Sequence, residues 1–207
     1  MLVIIPIKLK NPKTRLAGIL NKEQRRKLVL TMLSDILSAL EGRDVIIVLD
    51  FPKENLKGKF RKIVEEQEGL NHAVGKATKY ALEKGYNSTL FLPGDVPLVK
   101  KGDIAMIEKL GENYNLVLSP SNDKGITSLF RRPPNVIKEC FSSKSFEDFV
   151  KEAENRKISY HIYYSTSLSI DIDTPQDLKE FMLIGKGTRT YEFLESIGLE
   201  VKVCARR

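Results

Sequence analysis

LFLPGDVPLV, residues 90–99, decides how the rest of the chain is read. It begins within an apolar run from Ser88 to Leu92, the pattern of a strand buried on both faces of a parallel sheet. Pro93-Gly94 turns the chain, Asp95 follows at the carboxyl end of the strand, and Pro97 stops the ladder. In open α/β sheets, ligands sit outside the carboxyl ends of the strands. A carboxylate at that point is placed to hold a metal ion. Gly-Asp and Asp-x-Pro are also ordinary turn formers, and the stretch alone supports both readings.

Outward from this strand, the pattern alternates. Residues 2–7 and 44–50 read as buried strands, 62–66 as a short one, and 114–120 as another. A helix starts at Asn21, with Gln24 as its capping-box partner, and ends at Gly42. Gly69-Leu70-Asn71 leads into a second helix, to about Lys84, and a third lies near 101–110. Strands alternating with helices predict a three-layer α/β sandwich with a mostly parallel, doubly wound sheet. Residues 119–165 break the rhythm: a short strand at 127–130, helices at 134–140 and 145–155, and an aromatic strand at 158–165. We read them as a small α+β excursion over the sheet end. SIDIDTPQDLKEFMLIG then gives a short strand, Asp171 and Asp173, and a helix starting at Thr174-Pro175, where proline is favoured. Residues 186–207 read as an appendage with a helix at 188–196. One domain over 1–207 accounts for all of this.

The 207 residues carry a net charge of +7. Basic excess favours anionic partners, but no basic run interleaved with aromatics marks a nucleic-acid module. The two cysteines, Cys140 and Cys204, give neither a disulfide framework nor zinc spacing. LVIIPI is too short, and too soon followed by Lys8 and Lys10, for a signal peptide. No run reaches transmembrane length. The expected setting is the cytoplasm, with no membrane partner.

The loop KLKNPKTRL, residues 8–16, places Lys8, Lys10, Lys13 and Arg15 directly after the first strand. Such a loop can cradle a triphosphate; it can also be a solvated basic loop. Two carboxylates from separate strand ends, Asp95 with Asp173 or Asp171, would suit Mg²⁺, which takes one or two carboxylates plus water and phosphate. Asp173 is equally a good helix start. His72 and His161 lack ligand-spaced partners. No nucleophile elbow, Walker A loop or Rossmann fingerprint occurs.

IPIKLKNPKTRL, GLNHAV at 69–74, LPGDVPLV at 92–99 and DIDTPQDL at 171–178 follow one another in the order of a known family. The chain resembles 2-phospho-L-lactate guanylyltransferase, an enzyme of coenzyme F-420 biosynthesis, from residue 2 to about 184. The last motif is shared with other nucleotidyltransferases of the glycosyltransferase-A-like fold, the nucleotide-diphospho-sugar transferase type. The opening P-x-K followed by K-[ST]-R-L is the more specific one. The resemblance implies that Lys13 and Arg15, with Lys8 nearby, bind the phosphates of GTP. It implies that Gly69, Leu70 and Asn71 border the base and ribose, that Gly94 lies at the nucleotide, and that Asp95 and Asp173, with Asp171 as second candidate, hold Mg²⁺. In the acceptor region the family's G-T-N-x-L is Gly125-Ile126-Thr127-Ser128-Leu129 here, and its F-G-x-x-S-F is Phe141 to Phe146. Thr127, Ser128 and Ser145 are the candidates there for binding a small phosphorylated carboxylic acid. The near alternative is a related transferase using phosphoenolpyruvate, 3-phosphoglycerate or another nucleotide. The distant one is a non-catalytic basic module for nucleotide or RNA, which would leave Asp95 and Asp173 without a role. A homodimer through the excursion or the tail is one assembly the sequence allows.

Overall fold

The computed structural model describes residues 1–50, 56, 58–65, 69–122 and 124–199. Its elements are β1 (Leu2–Ile7), α1 (Lys22–Ala39), β2 (Asp44–Leu49), β3 (Arg61–Val64), α2 (Leu70–Glu83), β4 (Thr89–Phe91), α3 (Lys101–Leu110), β5 (Leu116–Pro120), β6 (Ile126–Arg131), α4 (Ser145–Asn155), β7 (Tyr160–Ile162), α5 (Pro175–Ile184) and α6 (Arg189–Ser196). The described strands form one sheet in the order β3-β2-β1-β4-β6-β5-β7. All neighbouring pairs are parallel except those of β6, which runs antiparallel to both β4 and β5.

Side chains alternate across a strand, and β1 shows what that does here. Val3, Ile5 and Ile7 face a core shared with α1, α3, α5 and α6. Leu2 and Ile4 face Ala77 and Ala81 of α2 on the other side. Further along that second face, Phe91, Leu118 and Leu129 pack on Phe149 and Ala153 of α4. The sheet is therefore covered on both faces, which is why its central strands read as unbroken apolar runs. At the predicted cap of α1, Asn21 and Gln24 exchange side-chain and backbone hydrogen bonds, each of 2.9 Å.

Three sequence expectations change. The helix predicted at 134–140 is irregular chain. Because β6 is antiparallel, it delivers the chain to the far end of the sheet, where Arg132 N–H donates to Asn115 O at 2.8 Å. The chain must then return the length of the sheet before α4 can start. Helical residues advance only about 1.5 Å each, whereas extended ones advance about 3.3 Å. The aromatic strand predicted at 158–165 is only three residues long, and 163–167 turns away toward α3. There the Asp103 carboxylate, buried at the start of the helix, accepts from Tyr163 Oη at 3.0 Å, Ser165 Oγ and Ser167 Oγ at 2.6 Å each, and Lys100 N–H at 2.8 Å. The strand expected before Asp171 is not formed; Ile172 N–H makes one bond, to Asp95 O at 3.0 Å. The last part of the predicted appendage, beyond 199 and including Cys204, lies outside the described residues.

The helix in that appendage is α6, and it docks on α1. Phe193 and Leu194 join the core with Leu28 and Val29. The Asp35 carboxylate accepts from the backbone N–H of Arg189 at 3.0 Å and of Thr190 at 2.9 Å. Among the described residues, no helix is long and apolar enough to cross a membrane.

Candidate functional site

The strand order reverses between β1 and β4, and the loops leaving the carboxyl ends of these strands meet at that point, where open α/β sheets bind ligands. After β1 the chain runs through Lys8 and Lys10 into a 3-10 turn at Thr14–Leu16. Lys13 enters that turn in the left-handed region, at φ 48° and ψ 51°. Such a backbone is uncommon for a residue with a Cβ and is found where position matters. Its Nζ lies 2.7 Å from Asp95 Oδ2 and 3.4 Å from Asp173 Oδ1. Arg15 Nη1 lies 2.6 Å from Asp173 Oδ2, with the arginine side chain 68% exposed. The structure thus brings together Lys13, Arg15, Asp95 and Asp173, residues from three separate parts of the chain.

Burial is the strongest single influence on Lys13 and pulls its pKa down. The charges of Asp95 and Asp173, the hydrogen bond to Asp95 and the charge of Asp171 together outweigh it and hold the amine above its ordinary value. Lys13 is therefore an ammonium at neutral pH, and Asp171 lies near enough to feel it. Asp95 Oδ1 is buried with no hydrogen-bond partner among the described residues. Such an oxygen is costly to leave unsatisfied, so the acid pair keeps a hard donor for a cation. No three acidic, histidine or cysteine side chains form a metal cage among the described residues. Mg²⁺ does not need one, since it keeps most of its water and takes one or two carboxylates with substrate phosphate. The donor set fits that ion.

A cleft of about 590 Å³ opens beside the basic loop, lined by Lys8, Lys10, Asp50, Gly69 and Leu70 among others. Lys10, which is outside the sequence motif, shares this wall with Lys8. Gly94 has a packing reason: a Cβ there would stand 2.4 Å from Ile7 Cγ2. The glycine lets the β4 turn close on β1. Asn71 does not line the cleft. Its Nδ2 donates to Phe141 O at 3.1 Å and its Oδ1 accepts from Phe141 N–H at 2.8 Å.

The three acceptor hydroxyls do not form one group. Thr127 and Ser128 are adjacent in β6 and point to opposite faces. Thr127 shares its face with Leu129, on the α4 side, and Ser128 shares its face with Phe130, on the α3 side. Both are buried. Thr127 Oγ1 donates to Ser119 O at 3.3 Å, and Ser128 Oγ donates to Ser119 Oγ at 2.8 Å. Ser145, at the start of α4, accepts from Ser142 N–H at 2.8 Å. Ser128 is thus on the wrong face to join Thr127 and Ser145.

Sequence reasoning missed Asp50. Its Oδ1 accepts from Leu9 N–H at 2.6 Å and Lys10 N–H at 3.3 Å, fixing the loop that carries the basic residues. The signal was there: DVIIVLD ends in an acid at a strand terminus, as the β4 stretch does.

A family model described as "Guanylyl transferase CofC like" matches residues 1–206. The chain is 38% identical to 2-phospho-L-lactate guanylyltransferase of Methanocaldococcus jannaschii, over 98% of this chain and 91% of that one. It is 39% identical to the protein of that name from Methanocaldococcus fervens, over 98% and 94%. Among solved structures, a protein of Desulfovibrio desulfuricans described as a nucleotide-diphospho-sugar transferase superposes with a TM-score of 0.79 at 16% identity, covering 96% of this chain and 95% of that one. A 4-diphosphocytidyl-2C-methyl-D-erythritol synthase from Anaerococcus prevotii gives a TM-score of 0.60 at 12% identity, covering 94% and 95%. These two likenesses establish the shared fold.

Proposed function

The chain belongs to the family of CofC-like guanylyl transferases, and from that premise we propose that it joins GTP to 2-phospho-L-lactate, with Mg²⁺, in coenzyme F-420 biosynthesis. The observation that carries this reading is the convergence of Asp95, Asp173, Lys13 and Arg15 at the strand ends beside the cleft. A module that only bound nucleotide would gain nothing from two carboxylates set against phosphates.

In the reaction, a phosphate oxygen of the acid attacks the α-phosphorus of GTP. A new P–O bond forms, the bond to the β-bridging oxygen breaks, and pyrophosphate leaves with that electron pair. A phosphate monoester is largely ionised at neutral pH, its second pKa being about 6, so no general base is needed. That agrees with a site built without histidine. Asp95 and Asp173, with Asp171 as second candidate, would hold Mg²⁺, which supplies charge neutralisation at the reacting phosphate. Lys13 and Arg15 add positive charge where the leaving group forms. Lys8 and Lys10 meet the nucleotide in the cleft that Gly69 and Leu70 border. Thr127 and Ser145 face the acid substrate once their internal bonds open.

The test is pyrophosphate release from GTP, ATP, CTP and UTP, each with 2-phospho-L-lactate, phosphoenolpyruvate, 3-phosphoglycerate or lactate, with and without Mg²⁺. The reading expects GTP with 2-phospho-L-lactate to be the best pair, and no release without Mg²⁺. A better rate with another nucleotide or phosphorylated acid would transfer the proposal to that pair. No release with any pair would end it.

A further inference from the structure

The returning segment 132–144 is fastened to α2 at two heights. Arg131, fully buried, starts the lower fastening. Its Nη1 lies 2.7 Å from Glu139 Oε1 and its Nη2 lies 2.7 Å from Thr78 Oγ1 of α2. Thr78 Oγ1 also donates to Glu139 Oε1 at 2.8 Å. The upper fastening is the pair of hydrogen bonds between the Asn71 carboxamide and the Phe141 peptide, 3.1 and 2.8 Å. Between these points the chain is held in register with the helix.

Each end of the upper fastening belongs to a different substrate region. Asn71 follows directly on Gly69 and Leu70, which line the nucleotide cleft. Phe141 directly precedes Ser142, whose N–H donates to Ser145 Oγ at 2.8 Å. The Phe141 ring also sits 4.6 Å from that of Phe91 in β4 and 5.2 Å from that of Phe149 in α4, centroid to centroid. A carboxamide that satisfies both the N–H and the C=O of one peptide is a geometric clamp. With both its ends so engaged, it has little left for a ribose or a base.

We propose that Asn71 is a positioning residue that sets the acceptor loop, through the Phe141 peptide, at a fixed distance from the rim of the nucleotide cleft, and is not itself a nucleotide contact. The assignment of the two regions rests on the guanylyl-transfer reading; the clamp itself does not. Its consequence is a split between substrates. Removing the carboxamide should loosen the acceptor side and leave the nucleotide side alone.

The experiment uses Asn71→Ala and, as a milder change, Asn71→Ser. Asn71 is exposed, so neither substitution threatens the core, and thermal unfolding verifies that. Hydrogen exchange of the ligand-free protein reads the clamp directly. The Phe141 amide should exchange about tenfold faster in Asn71→Ala, the effect of one ordinary hydrogen bond, while amides of β1 and β2 keep their protection. Binding of a non-hydrolysable GTP analogue should stay within about twofold, and the KM of the acid should rise about tenfold. An unchanged Phe141 amide, or a loss of GTP-analogue binding as large as the rise in acceptor KM, would overturn the proposal. If the wild-type protein transferred no guanylyl group, the functional reading would fall, and the Phe141 exchange would still decide whether the clamp exists.

Discussion

Lys13 Nζ stands 2.7 Å from Asp95 Oδ2, with the lysine side chain only 10% exposed. A cation in a buried place is held there by its anions, and the anions are held by it. Asp173, 3.4 Å away on its other side, makes the unit a three-membered one.

The unit should show itself as coupling. Lys13→Met and Asp95→Asn should each lower stability in the absence of ligand, by about 1–3 kcal/mol, since removing one member leaves a partly buried polar group unsatisfied. The double variant should lose less than the sum, with a coupling of about 1 kcal/mol or more. Denaturant unfolding of all four proteins measures this. Strict additivity would mean that the contact contributes nothing.

Activity should rank the acids. Asp95→Asn and Asp173→Asn should each abolish most turnover, because each takes a charged ligand from a metal that accepts few protein oxygens. Asp171→Asn should be milder, since Asp95 and Asp173 are the acids that Lys13 and Arg15 meet directly. Initial rates across a Mg²⁺ titration settle the order. A reversed order would make Asp171 the main ligand.

The basic loop should separate stability from function. The Arg15–Asp173 pair is exposed on the arginine side, and such pairs add about 0–1 kcal/mol. Arg15→Ala should therefore keep its melting temperature and lose about tenfold or more in kcat/KM. Asp50→Ala should do the opposite at first, costing about 1–3 kcal/mol by stranding the Leu9 and Lys10 amides, with a raised KM for GTP following from the misplaced loop. Asp50→Asn, which keeps an acceptor oxygen, should recover much of both.

The two faces of β6 make the acceptor residues distinguishable. Thr127→Val and Ser145→Ala should raise the KM of the acid by about tenfold, the effect of one hydrogen bond to a charged group. Ser128→Ala should leave it unchanged. Lactate should not react, because it lacks the ionised phosphate oxygen that attacks GTP. Parallel saturation curves for 2-phospho-L-lactate and lactate check all of these.

Asp103 offers a pH test away from the reaction. Burial, the largest influence, raises its pKa, but the bonds from Ser165, Ser167, the Lys100 amide and Tyr163 together hold it below the ordinary 3.8. A carboxyl with a lowered folded pKa contributes stability above its unfolded pKa and loses it as pH falls through the folded value. Asp103→Ala should therefore be less stable than the parent by about 3 kcal/mol at neutral pH. The gap should hold down to about pH 4 and narrow below 3.8. A gap that is flat to pH 2 would show that the carboxylate's charge is not what the hydroxyls recognise.

The sheet was legible in the sequence where burial on both faces produced continuous apolar runs: β1, β2, β4 and β5. The caps of α1 and α5 were legible too, because capping is local chemistry. What local pattern cannot carry is direction. Nothing in ITSLFR says that β6 enters antiparallel, and its direction alone decides that 134–140 must stretch out and that Ser128 turns from Thr127. Lys13, Arg15, Asp95 and Asp173 were legible as separate strand-end residues, and their convergence follows from the fold. The bonds of Asn71 to Phe141 were not legible, because its motif names the neighbourhood and not the partner. Its partner lies 70 residues away.

The docking of α6 on α1 places a demand on time. The residues that close the outer face of α1 are separated from it by 154 and 155 positions, as the Asp35 bonds show. On a ribosome, Asp35 therefore emerges early and waits for the amides of Arg189 and Thr190 until nearly all of the described chain has been made. Contacts of such separation form slowly and late. A nascent chain arrested before residue 189 would lack the amides that satisfy the Asp35 carboxylate, which is only 8% exposed in the finished fold.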